Sequence, residues 1–149
     1  MRSDDDGALR RFVADRFPRL RRSAYLMCGD WTDADEQARA ALARLLADSH
    51  RGVEDPDAYV WCDLMQAFRH GPGRREHIFA DAEGETPETV LLLDALHRLA
   101  PVCRAVLVMR HAEGFAPDEV ADVLGIAEDR VAAYEAAGLR ALRDLVTAR

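Results

Sequence analysis

Apolar residues recur every three or four positions along nearly all of this chain, and nowhere do they alternate regularly with polar ones. A period of 3.6 gathers such residues on one face of a helix, whereas a half-buried strand needs a period of two. β-Branched residues other than Val are few as well. The pattern predicts an all-α protein.

Punctuation divides the pattern into helices. The first is expected from about Ala8 to Cys28, with Phe12, Val13, Phe17, Leu20 and Ala24 as its stripe, a bend at Pro18 and a stop at Gly29-Asp30. Thr32-Asp33-Ala34-Asp35 reads as a capping box opening a second helix to about Asp48, with Ala38, Ala41, Leu42 and Leu45 inward. Asp55-Pro56-Asp57 starts a third, in which Tyr59, Val60, Leu64 and Ala67/Phe68 share a face. Residues 71–85 are rich in Gly, Pro and charge and read as an interdomain linker. Residues 1–70 and 86–149 are then two small helical domains joined by a flexible connection. The second is expected to hold four short helices, at Pro87–Leu99, Pro101–His111, Pro117–Leu124 and Glu128–Thr147, with Thr86 capping the first of them.

The most specific signal lies between Phe115 and Val131. A short helix ends at Gly125, which can take the left-handed turn conformation, and another begins two or three residues later. Val120, Ala121, Leu124, Ile126 and Val131 form the small core that locks the two helices at a steep angle. That is the arrangement of a helix-turn-helix, whose second helix normally enters a DNA major groove. The same hairpin also serves in protein interaction.

Charge argues less clearly for nucleic acid. The formal net charge is -7, and no lysine is present, so every base is an arginine. Residues 1–80 hold 13 Arg against 14 acids, but residues 81–149 hold 7 against 13. An acidic second half is a poor electrostatic match to phosphate. Arg10, Arg11, Arg19, Arg21 and Arg22 give the first helix a basic side, either a solvated face or a surface for an acidic partner.

Cys28, Cys62 and Cys103 form no C-x-x-C pair and read as small buried hydrophobes in a reducing compartment. His50, His70, His77, His97 and His111 show no ligand spacing. No metal, cofactor or catalytic residue is expected, since glycine-rich phosphate loops and nucleophile elbows are missing from the sequence. The opening MRSDDDGALRRF lacks an apolar signal region, and no stretch approaches the roughly 20 apolar residues of a membrane span. A cytoplasmic protein with no membrane association is expected.

Several runs carry a family resemblance. Leu99-Ala100-Pro101-Val102-Cys103-Arg104-Ala105-Val106-Leu107-Val108-Met109-Arg110, Glu113-Gly114-Phe115 and Glu119-Val120-Ala121-Asp122-Val123-Leu124-Gly125 resemble the C-terminal domain (region 4) of extracytoplasmic-function sigma factors. Phe12-Val13-Ala14, Arg22-Ser23-Ala24-Tyr25-Leu26, Gly29-Asp30, Asp33-Ala34-Asp35-Glu36, Ala41-Leu42-Ala43-Arg44 and Asp57-Ala58-Tyr59-Val60 are similar to their N-terminal domain (region 2). The likeness covers nearly the whole chain and is greatest to an actinobacterial sigma-E-like subfamily. It implies a non-enzymatic role in transcription initiation. The first domain would dock on core RNA polymerase through Asp33, Asp35 and Glu36 and present Trp61, Gln66 and Arg69 to melted promoter DNA. The second would read the upstream promoter element with Glu128, Asp129, Arg130, Ala132, Ala133, Tyr134 and Ala137 of its recognition helix.

The chain departs from the family pattern at these functional positions. The usual Gln and Glu of the docking stretch are Arg39 and Ala40. Trp61 and Cys62 replace arginines, and Gln66 replaces asparagine. Trp61 fits three roles: stacking on an unpaired base, partial burial, or contact with a protein. The recognition helix has alanines where basic and hydroxyl residues are usual, while Glu128 and Asp129 suit its positive N-terminus better than they suit phosphate. Two functions follow: a divergent working sigma factor, or a degenerate sigma-like regulator that binds an anti-sigma factor or other regulatory protein without promoter recognition.

Overall fold

A two-residue turn sets the first helix pair. Gly29 takes φ 75, in the left-handed region, and its N–H closes on the Tyr25 carbonyl at 2.7 Å. Asp30 follows in extended conformation, and its carboxylate accepts from the Thr32 and Asp33 N–H groups at 2.8 and 3.2 Å. The cap is therefore Asp30, and the expected Thr32 capping box does not form. The helix has already begun at Trp31, so Thr32 lies inside the first turn, while Asp30 presents an acceptor at the position where the free N–H groups point.

The structure, a computed structural model, describes residues 2–69 and 86–147. The expected linker, 71–85, lies outside the described residues. Helix α1 spans Arg2–Cys28 and runs on through Pro18; α2 spans Trp31–Asp48, and a 3-10 turn covers Ser49–Arg51. Helix α3, Pro56–Arg69, opens with the Asp55 carboxylate accepting from the Ala58 N–H at 3.2 Å. In the second half come α4 (Pro87–His97), α5 (Pro101–Leu107), a π-helical turn (Val108–Ala112), α6 (Pro117–Leu124) and α7 (Glu128–Thr147). Among the described residues there is no strand. The expected helix Pro101–His111 is thus an α-helix that widens into a π-helical turn, closed by Glu113 N–H to the Val108 carbonyl at 3.1 Å.

The first domain is built on α2. Ala34, Ala38, Ala41, Leu42 and Leu45 form its buried stripe, against which α1 and α3 pack. Alanine at three of these positions lets the α1 backbone approach closely. Ion pairs fix the ends: Arg16 holds Asp57 with both oxygens engaged, at 2.6 and 2.9 Å, and Arg44 holds Asp63 at 2.5 Å. Helix α3 is buried more widely than a one-sided helix, since Trp61 and Met65 are covered as well as Val60 and Leu64. Its second face lies against α5 and α6. The two domains therefore pack on each other.

The second domain packs α4, α5 and α6 against α7. The cap expected at Thr86 forms, with its hydroxyl accepting from the Thr89 N–H at 3.2 Å. Close packing of α5 and α7 rests on Gly138, where an added Cβ would lie 3.0 Å from Cδ1 and 3.2 Å from Cγ of Leu107. The three cysteines are free thiols, half-buried rather than fully buried. Burial pushes the Cys28 thiol up to about 11, so it stays protonated at neutral pH. Gly138→Val is expected to lower stability by about 1–3 kcal/mol in urea unfolding, because its branches overpack against Leu107.

Candidate nucleic-acid interface

The helix-turn-helix forms as its sequence predicts. Gly125 closes α6 at φ 67, its N–H bonded to the Ala121 carbonyl, and the Ile126 N–H reaches the same carbonyl at 3.1 Å. Val120, Ala121, Leu124 and Val131 are buried, Val123 joins them, and Ile126 is half-buried at the turn. Glu119 reaches back to accept from the Ala116 N–H at 2.9 Å, which fixes the start of α6. Ala127 stands at the cap of α7, its carbonyl accepting from Arg130 and Val131, but its methyl offers no acceptor to the free N–H groups.

The outer surface of the first half of α7 consists of Glu128, Asp129, Arg130, Ala132, Ala133, Ala136 and Ala137, all exposed; Arg140 and Arg143 are exposed further along the helix. Tyr134 is half-buried and accepts from Arg130 at 3.5 Å. Every residue assigned by resemblance to base or phosphate contact is therefore outward or at the helix edge. What they present is two carboxylates, one guanidinium and a run of methyl groups. Phosphate binding draws on cations and on hydrogen-bond donors, and this face has one cationic side chain.

The other two candidate sets are held differently. Asp35, assigned to polymerase docking by resemblance alone, lies between Arg21 at 3.3 Å and Arg39 at 2.6 Å. Arg21 also lies over the ring of Trp31, which stacks on Tyr25 at 3.9 Å. Asp33 is half-buried beside the Asp30 cap, and Glu36 is exposed. On α3, Gln66 is half-buried and Arg69 is the last helical residue. Trp61 is 1% exposed, with its ring edge-on to Phe115 at 5.3 Å, so of its three roles this arrangement realises burial. Phe115, just before α6, covers Trp61, and α6 itself packs on α3.

Four residues at the centre of the domain contact were not singled out from the sequence: Ser23, Arg104, Glu113 and Phe115. Arg104 is buried and donates to the carbonyls of Leu96, His97 and Leu99 at the end of α4, and to Met27 of α1 at 2.8 Å. Glu113, its side chain 1% exposed, accepts from Arg19 at 3.0 Å and from Ser23 at 2.7 Å, with Arg22 at 3.6 Å. The available signal was a serine within an apolar helix and an acid beside a glycine. Neither points to a partner some 90 residues away.

A helical bundle joined to a helix-turn-helix unit is the architecture of a two-domain transcription factor. A family model described as "Sigma-70, region 4" matches residues 89–142. RNA polymerase sigma-E factor of Streptomyces coelicolor is 30% identical over 152 residues, an alignment that covers 93% of this chain and 85% of that protein. Among solved structures, the sigma factor RpoE from Bartonella quintana, co-crystallised with the anti-sigma factor NepR, superposes with a TM-score of 0.73 at 15% identity, covering 92% of this chain and 95% of that one. PhyRSL from Sphingomonas sp. Fr1, in an NMR structure with NepR, gives 0.67 at 22% identity, covering 91% and 87%. The chain belongs to the extracytoplasmic-function sigma factors. No helix among the described residues is long and apolar enough to cross a membrane.

The bare cap at Ala127 yields a prediction. Ala127→Ser should raise unfolding free energy by about 1 kcal/mol, read as a higher urea midpoint at unchanged slope.

Proposed function

We propose that this protein is a non-catalytic, cytoplasmic initiation factor that docks on core RNA polymerase with its first domain and recognises promoter DNA only weakly. Its domains are taken as residues 1–70 and 86–149, joined by 71–85, and it is placed in the actinobacterial sigma-E-like subfamily. The observation that carries the reading is the intact helix-turn-helix core beneath an α7 N-terminal face with Arg130 as its single cation. A scaffold with Val120, Leu124 and Val131 fully packed positions a recognition helix, while the alanines limit its grip on phosphate. Glu36, exposed on α2, and Asp35, released from Arg39, are the acids offered to polymerase.

Reconstituted transcription with core polymerase tests the proposal. The expected result is binding to core at low salt and weak, promoter-dependent transcripts. Absence of core binding at low salt would overturn it. Ala132→Lys is expected to strengthen promoter binding and to steepen the dependence of log affinity on log salt by about 0.9, the value of one added phosphate contact.

A second reading is supported by a separate observation. Glu128 and Asp129 are exposed on α7, and Asp118, Glu119 and Asp122 are exposed on α6, so the helix-turn-helix presents acids suited to a protein partner. The two solved structures named above are both complexes with NepR, an anti-sigma factor, which favours a partner of that class. On this reading the protein regulates transcription through protein contacts alone. Sequence-selective, salt-sensitive DNA binding by the full chain would refute it.

A further inference from the structure

We propose that this protein latches its own domains together through the segment Glu113–Phe115, and that the latched state buries Trp61 on the promoter-facing side of α3. The name given to that side rests on the functional reading above; the latch itself rests on contacts. Gly114 sits between the two side chains at φ +74, a conformation that L side chains rarely adopt. The turn it makes sends Glu113 to α1 and Phe115 to α3.

Each arm is specific. The Glu113 carboxylate is buried and meets Arg19, Arg22 and Ser23, which share one face of α1 at positions i, i+3 and i+4. Ser23 is fully buried, so its bond to Glu113 at 2.7 Å is shielded from water. A carboxylate held this way is stabilised only while α1 stays in place, since losing its partners would leave a buried charge uncompensated. Phe115 closes on the edge of Trp61. The indole N–H of Trp61 is buried there without a hydrogen-bond acceptor. An unmatched buried donor carries a desolvation cost for as long as Trp61 is covered. The closed arrangement thus combines a strong polar contact with a built-in opposing cost, as a reversible latch requires.

Trp31 and Trp61 are the protein's two tryptophans, so Trp31→Phe leaves Trp61 as the sole reporter. In that full-length background Trp61 fluorescence is expected to be blue-shifted and poorly quenched by acrylamide. Adding Glu113→Gln or Phe115→Ala, with helical circular dichroism retained, should raise the open population about tenfold or more and increase quenching accordingly. Arg19→Ala with Arg22→Ala provides the same test from the α1 side, where both residues reach the surface and the fold is not at risk. Quenching in the Trp31→Phe parent equal to that of the urea-unfolded chain would overturn the latch. So would unchanged quenching in the arginine double variant. Core polymerase carrying melted promoter DNA is then titrated against closed and opened proteins: tighter binding by the opened forms is expected, since the Trp61 side of α3 is freed, and equal binding overturns the claim that the latch withholds that side from DNA. If opened forms bind no polymerase at all, the functional reading fails, while quenching still decides the latch.

Discussion

The arrangement of this molecule depends on two buried charges exchanged between its halves. Arg104, from the second domain, donates to Met27 at the end of α1 and to three carbonyls at the end of α4. A guanidinium suits this role because it carries five fixed donors and a charge that does not titrate. The negative ends of two helix dipoles meet it at one point. In return, the first domain supplies Arg19, Arg22 and Ser23 to Glu113. The wide burial of α3 and the covered position of Trp61 follow from these contacts, which hold α5 and α6 over its second face.

The widening of α5 into a π-helical turn makes the second exchange possible. Continuing as an α-helix, the chain would have placed its next residues a fraction of a turn away. The wider turn, closed from Glu113 to Val108 and followed by Phe115 N–H to the Met109 carbonyl at 2.9 Å, releases Glu113 and Phe115 toward different helices. Arg110 then bonds the Phe115 carbonyl at 2.7 Å and pairs with Glu135, which also meets His111. The clasp is therefore anchored on α7, the same helix that would read DNA.

Scaffold and surface have separated in this member of the sigma family. The helix-turn-helix persists because its core positions answer to packing, where losing a buried Val or Leu costs several kcal/mol. Its outer positions answer to a partner, and alanine there costs the fold nothing. The same division appears on α2. The inward alanines and leucines keep the helix pair together, while on the outside Arg39 holds Asp35 in an ion pair.

The sequence by itself determined the helices, the turn at Gly125 and the buried stripes of α2 and α6, because these depend on residues three or four apart and on local backbone freedom. It also determined what α7 displays, since exposed positions on a helix follow from which positions are buried. It misplaced the cap of α2, where two neighbouring residues both qualify as acceptors and only the direction of the chain after Gly29 selects Asp30. It could not decide the role of Trp61, for which stacking and burial predict the same residue. Only the tertiary structure decided that, along with the partners of Arg104 and Glu113 and the pairing of Asp35. The physical reason is that a buried ion pair or a covered ring requires two surfaces far apart in sequence, and nothing in the spacing of either one records the other.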